Sequence, residues 1–204
     1  MKIFRSLTIM AFILMFSFYA EAQEIKFDFE DSIEGWSIPT WADEQGDIVS
    51  ESIAASPEVA SSGINSLAIM TDFPGDSWCA AVVEYEGEMD LTGYKTISVD
   101  IFLPKKVKTN LFRARFILTA GPWWRIEQRW PVELKRGKWT TLTADLDPED
   151  ELAYWRSKRP GESIKANINS VKKILVRIEY NASVSLGGPK YKGPIYIDNV
   201  VIKK

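Results

Sequence analysis

From residue 25 onward the sequence is written in period two. Short runs of Val, Ile, Thr, Tyr, Phe and Trp alternate with polar residues over 25–30, 47–53, 66–71, 79–85, 96–103, 112–119, 124–130, 138–145, 173–180 and 194–202, with Gly, Pro, Asp and Asn between them. Successive side chains on an extended strand point to opposite faces, so each run buries one face and wets the other. About ten such strands, evenly spaced and without the long helices that parallel βαβ units require, predict two packed antiparallel sheets. The fold class expected is therefore all-β, an antiparallel β-sandwich or jelly roll with one short helix. That helix is placed after Asp147-Pro148, where an N-cap precedes proline and Glu149 and Asp150 suit the positive end of the dipole. It should run to about Lys158, with Leu152 and Trp155 fastening it to the sandwich, and Leu186-Gly187-Gly188-Pro189 should form a surface loop before the last strand.

The N-terminus is of a different kind. Lys2 and Arg5 precede an apolar run from Leu7 to Ala20, followed by the small-x-small step Ala20-Glu21-Ala22. This is the layout of a secretory signal peptide, and the run is shorter than the ~20 residues needed to cross a hydrocarbon core. The expected organisation is a signal peptide over 1–22 and a single domain over 23–204, exported to the periplasm or the extracellular space. The lone cysteine, Cys79, lies far from the cleavage point, which argues against a lipid anchor, and one cysteine makes no internal disulfide.

A formal net charge of −3 offers no electropositive field for nucleic acid or acidic lipid, so neither is expected as a partner. The chain has no histidine, which removes Ser-His-Asp and Cys-His nucleophiles and nearly every zinc site. Glycosidic hydrolysis would need two carboxylates facing one another across a cleft. Glu149, Asp150 and Glu151 are explained by the helix start, and Glu84 and Glu86 read as a solvated face on a strand that Gly87 ends. Arg125-Ile126-Glu127-Gln128-Arg129 matches half of an Arg-x-Glu-x-Arg lyase strand. A polysaccharide lyase or glycosidase built on Arg125, Glu127 and Arg129, with Tyr85 or Tyr180 as acid, is the catalytic alternative.

Eight tryptophans exceed what a core of this size uses. Trp36 reads as a core or edge plug, Trp139 as half-buried strand structure and Trp155 as part of the helix face, leaving Trp41, Trp78 and the doublet Trp123-Trp124. Neighbours on a strand face opposite ways, so one ring of the doublet must point outward. An exposed indole suits the apolar face of a pyranose, and covering ~80–100 Å² at ~25 cal/mol/Å² is worth roughly 2 kcal/mol per stacked sugar. Two or three such platforms give about 10⁻³ to 10⁻⁶ M after the cost of association. The expected carbohydrate-binding set is Trp78, Trp123, Trp124, Arg125, Glu127 and Arg129, with Trp124 and Trp78 as platforms on a concave sheet. A structural or adhesion module whose tryptophans meet another protein is a third possibility.

Five strings in order, Phe27-Asp28-Phe29-Glu30-Asp31 through Gly35-Trp36, Ser62-Gly63-Ile64-Asn65-Ser66-Leu67, Thr119-Ala120-Gly121 with Trp123-Trp124, Gly137-Lys138-Trp139-Thr140-Thr141-Leu142, and Ile195-Tyr196-Ile197-Asp198-Asn199-Val200, resemble the jelly-roll (galactose-binding-like) carbohydrate-binding modules attached to bacterial mannanases and related glycanases. The resemblance implies a non-catalytic module for a polysaccharide of β-mannan or β-glucan type, with glycanases as associated partners. It also implies a structural Ca2+ joining first and last strands, held at Asp28, Glu30, Ser66 and Asp198 by hard oxygen ligands.

Overall fold

The computed structural model describes residues 24–159, 161–181 and 188–204. The expected signal peptide, 1–22, and Leu186-Gly187 of the expected loop lie outside the described residues. In chain order the strands are β1 (Glu24–Phe27), β2 (Trp36–Ser37), β3 (Ser50–Ser56), β4 (Ser66–Phe73), β5 (Cys79–Met89), β6 (Thr96–Leu103), β7 (Phe112–Ala120), β8 (Trp124–Gln128), β9 (Val132–Glu133) and β10 (Lys138–Asp145). Then come a one-turn helix α1 (Glu151–Tyr154), β11 (Trp155–Ser157), a second turn α2 (Ile164–Asn167), β12 (Val171–Tyr180) and β13 (Tyr191–Lys203).

The strands form two antiparallel sheets. One runs β10-β6-β13-β4-β3, with β1 also paired to β13; the other runs β11-β8-β7-β12-β5-β2, with β9 beside β7. The chain passes repeatedly from one sheet to the other, as in a jelly roll. All ten expected strands are present, and β2, β9 and β11 are short additions at the sheet margins.

The core is the meeting of the two inner faces, and it is built from the alternation. Ile97, Val99, Ile101 and Leu103 of β6 and Leu67, Ile69 and Phe73 of β4 face Phe112, Ala114, Phe116 and Leu118 of β7 and Ile174, Val176, Ile178 and Tyr180 of β12. Each is buried, and full burial of such a side chain is worth about 1.5–3 kcal/mol. Trp36 plugs one end, edge-on to Phe27 at 5.8 Å.

Three local expectations are corrected. The helix begins at Glu151, capped by Asp150, whose carboxylate accepts the Ala153 amide at 3.0 Å. Asp147 is instead held by Lys95 at 2.6 Å and Lys165 at 3.0 Å. After one turn, marginal by itself, the chain extends as β11 and gains ladder hydrogen bonds against β8. Trp155 is thus a buried strand residue whose indole N–H donates to the Asp145 carbonyl at 2.8 Å, and Leu152 is 76% exposed. Gly87 does not end β5: the Tyr85 ring lies over it, 2.8 Å from where a Cβ would stand, and pairing continues to Met89. Glu84 is buried rather than solvated, paired with Lys173 at 2.7 Å, whereas Glu86 is exposed.

Candidate functional site

On the outer face of the seven-stranded sheet the alternation that filled the core presents its other half. Cross-strand register aligns Glu86, Lys173, Thr119 and Arg125 in one row. The next holds Glu84, Leu175, Ile117, Glu127 and Arg156, and a third holds Val82, Arg177 and Arg115. The apolar members, Val82, Ile117 and Leu175, are covered by the segment between β2 and β3: Ala42 is buried on them, with Ile38, Trp41 and Ile48 packed alongside. The charged members form a network. Arg177 meets Glu179 at 2.8 Å and Glu127 at 3.1 Å, Arg115 meets Glu179 at 2.7 Å, Arg156 meets Glu127 at 2.8 Å, and Arg125 reaches Glu127 at 3.5 Å.

Glu127 is the pivot. Burial acts to raise its carboxyl, but Arg177, then Arg156 and Arg125, outweigh it and bring it down to about 2. Arg125 is held below its usual value, first by burial and then by its like-charged neighbours Arg177 and Arg156, with Glu127 opposing. Its guanidinium lies 5.8 Å from the Trp41 ring, and that of Arg177 lies 6.0 Å from Trp78. Toward β11 the face opens into a cleft of about 340 Å³ lined by Arg125, Glu127, Arg156, Ser157 and Lys158.

The doublet splits as required, but by a different route. Trp123 is not on a strand: it occupies the β7–β8 turn with φ 64, a left-handed conformation that costs a non-glycine residue of order 1 kcal/mol. It is 59% exposed, with Lys172 at 5.4 Å from its ring. Trp124 begins β8 facing inward and packs against the core, so it is not a platform on the sheet face, contrary to expectation. Trp78 is half-buried at the start of β5. Arg129 lies to one side, its Nε donating to the Leu152 carbonyl at 2.9 Å.

Sequence reasoning missed Arg156, Arg177, Glu179 and Lys173 as partners on this face, left the singled-out Trp41 outside the binding set, and passed over the 70%-exposed Trp130. The signal for β12 was present: Lys173, Arg177 and Glu179 recur at alternate positions of an otherwise apolar strand. Of the tyrosines named as acids, Tyr180 is fully buried in the sandwich beside Phe112 at 5.0 Å, and Tyr85 packs on Phe27 at 4.7 Å. Both pack on the inner face of the sheet, away from Glu127, and a carboxyl held near 2 is ionised at neutral pH.

The corner expected to hold Ca2+ is arranged for N–H donors. Glu30 accepts the amides of Ile64 (3.0 Å) and Asn65 (3.3 Å). Asp198 accepts those of Ser61 (2.7 Å), Ser62 (3.1 Å) and Asn199 (2.7 Å). Gly63, at φ +63, lets the 61–65 loop close on Glu30, whose carboxylate lies 2.0 Å from a virtual Cβ. Asp28 pairs with Lys26 at 3.3 Å, and the Ser66 hydroxyl donates to the Val59 carbonyl at 2.6 Å. Among the described residues no three Asp, Glu, Cys or His side chains gather for a metal. All four residues thus have partners within the protein.

By fold the chain is a two-sheet antiparallel β-sandwich of jelly-roll type. It is similar to the CBM27-1 module of Caldicellulosiruptor saccharolyticus solved with mannohexaose, at 18% identity and a TM-score of 0.58, covering 89% of this chain and 97% of that one. It is also similar to TmCBM27, described for specific mannan recognition (20% identity, TM-score 0.50, covering 90% and 99%). A third is the family 11 module of Clostridium thermocellum with a β-1,3-1,4-mixed-linked tetrasaccharide (14% identity, TM-score 0.50, covering 88% and 95%). No protein-family model and no curated protein matches the chain.

Proposed function

We propose that the protein is an exported, non-catalytic binding module for a β-linked polysaccharide of mannan or glucan type, and that the outer face of the seven-stranded sheet holds the glycan. The carrying observation is a set of tryptophans beside cations on and next to this sheet face, Trp41 by Arg125, Trp78 by Arg177 and, in the β7–β8 turn, Trp123 by Lys172, with Arg125 also lining the open cleft. Rings offer pyranose faces a dry surface, while the guanidiniums and Ser157 reach oxygens at the sugar's edge. The solved structures of similar fold with mannohexaose and a mixed-linked tetrasaccharide support this reading. The catalytic alternative loses the proton donors named for it, because Glu127 is ionised at neutral pH and Tyr85 and Tyr180 pack on the core. Glycanases in the same compartment are the expected associates.

Affinity gel electrophoresis over a polysaccharide panel tests the proposal. Retardation by at least one polymer is expected, weakened about 30-fold by Trp78→Ala or Trp123→Ala, which corresponds to one lost stacking platform of ~2 kcal/mol. No retardation by any polymer, or release of unsaturated or reducing ends from the panel, overturns it.

A further inference from the structure

The charges on this face are of the wrong sign for the chain that carries them. Overall the protein has three more acidic than basic residues, yet the β8–β11 end of the face gathers Arg115, Arg125, Arg156, Arg177 and Lys158 around two carboxylates, Glu127 and Glu179. The adjoining trio of Lys173, Glu84 and Glu86 gives back only one negative charge.

From this imbalance we propose that the glycan is anionic, a polysaccharide whose sugars carry carboxylate or sulfate groups, read in the cleft by Arg125, Arg156 and Lys158. The inference rests on the glycan-binding reading of that same site and changes its substrate class, from a neutral mannan or glucan to a polymer with charged groups. Three observations carry it. First, the cleft lining offers three cations against one carboxylate, Glu127, which the guanidiniums already occupy, and one hydroxyl, Ser157, but no Asn or Gln side chain, the groups that both donate and accept with neutral sugar hydroxyls. Gln128, which could have served, faces inward, taking the Phe116 amide at 3.3 Å and giving to the Thr143 carbonyl at 3.1 Å.

Second, the cations are under-neutralised. Glu127 is shared among four guanidiniums, and the one nearest the opening, Arg125, stands 3.5 Å from it, beyond the ~2.7–2.9 Å of a strong charged hydrogen bond. Arg125 and Arg156 keep 39% and 48% of their side chains exposed, and Lys158 has no ion pair among the described residues. An arriving oxyanion supplies the missing acceptor. Third, the forks are held in place before any ligand arrives. Trp41 backs Arg125, and both Nε and a terminal nitrogen of Arg156 are fixed on one oxygen of Glu127, at 3.2 and 2.8 Å. A planar guanidinium fixed in this way suits bidentate contact with an oxyanion.

The test is affinity electrophoresis of the exported protein in gels holding neutral polymers (mannan, mixed-linkage glucan, xylan), uronate polymers (polygalacturonate, alginate) or dextran sulfate. Expected is retardation by an anionic polymer at about tenfold lower concentration than by any neutral one, weakening with added salt as screening predicts. Preference for the uronates identifies carboxylate as the group read, and preference for dextran sulfate identifies sulfate. Lys158→Gln should weaken that retardation several-fold at unchanged Tm, Arg156→Lys should weaken it likewise with some loss of Tm from its two bonds to Glu127, and Lys106→Gln, in the turn after β6, should leave it intact. Equal or stronger retardation by neutral polymers, indifferent to Lys158→Gln, overturns the anionic assignment and leaves the glycan-binding proposal standing. No retardation by any polymer overturns both.

Discussion

The two sheets turn very different outer faces to solvent. On the six-stranded sheet the aromatic residues find one another: Trp139 lies 5.4 Å from Phe102, and Phe102 lies 6.2 Å from Tyr196, each pair in direct cross-strand register. Around them stand separate hydrogen bonds with no arginine, such as the Thr141 hydroxyl to the Asp100 carboxylate at 2.6 Å. On the seven-stranded sheet Trp41, Trp78 and Trp123 lie against cations, and the strands between them hold a partly buried ion network. Rings satisfied by rings make a structural face. Rings set beside under-neutralised charge, next to an open cleft, make a face with something left to bind.

The contrast can be broken experimentally, most forcefully at its pivots. Glu127→Gln removes the negative charge from among four guanidiniums, and breaking a mostly buried pair in this way costs about 3 kcal/mol, or roughly 6–12 °C in Tm for a domain of this size. Asp100→Asn, on the other face, loses only hydrogen bonds from Thr141, Ser61 and Asn199 and should cost about 1 kcal/mol. Equal losses in the two variants would erase the distinction between the faces.

Acid should sharpen the same difference. The Glu127 carboxyl titrates at about 2 when folded against 4.5 ordinarily, so its stabilisation is present in full above pH 4.5 and is lost as pH falls toward 2. A pH series of thermal melts should show wild type losing stability through that window, with a markedly flatter profile in Glu127→Gln.

Next in size is the exchange of one tryptophan on each face. Trp78→Ala should weaken glycan retardation about 30-fold, one stacking platform, whereas Trp139→Ala should lower Tm by a few degrees and leave retardation unchanged. Loss of binding on removal of Trp139 would move the site to the six-stranded sheet. The smallest effect expected is that of calcium. With Glu30 and Asp198 engaged by amides, chelator and millimolar Ca2+ should give melts within about 1 °C of each other, since an ion bound in the folded state alone would raise Tm further the more its concentration exceeds its Kd.

Much of this was legible in the residues. Alternation over 96–103 and 173–180 sorted Ile97, Val99, Ile174 and Val176 inward before any coordinates, because the period of a strand is fixed by its pleat. The same rule demanded one outward ring from Trp123-Trp124 without saying which. The turn decided that, by giving Trp123 the left-handed position and starting β8 at Trp124. The helix forecast failed where local capping preference met a stronger non-local bond: Asp147 was claimed by Lys95 and Lys165, and Trp155 by β8 and the core.

What the sequence determined by itself is therefore the two-faced strand, the sandwich it implies, and the surplus of indole and guanidinium groups, all properties of neighbours along the chain. What only the tertiary structure decided is which of these meet. Arg115, Glu127, Arg156 and Arg177 come from four strands, and their shared network, like the cleft beside it, exists only once cross-strand register has been set. Register follows from how both sheets bury their inner faces together, a long-range condition that no local pattern contains.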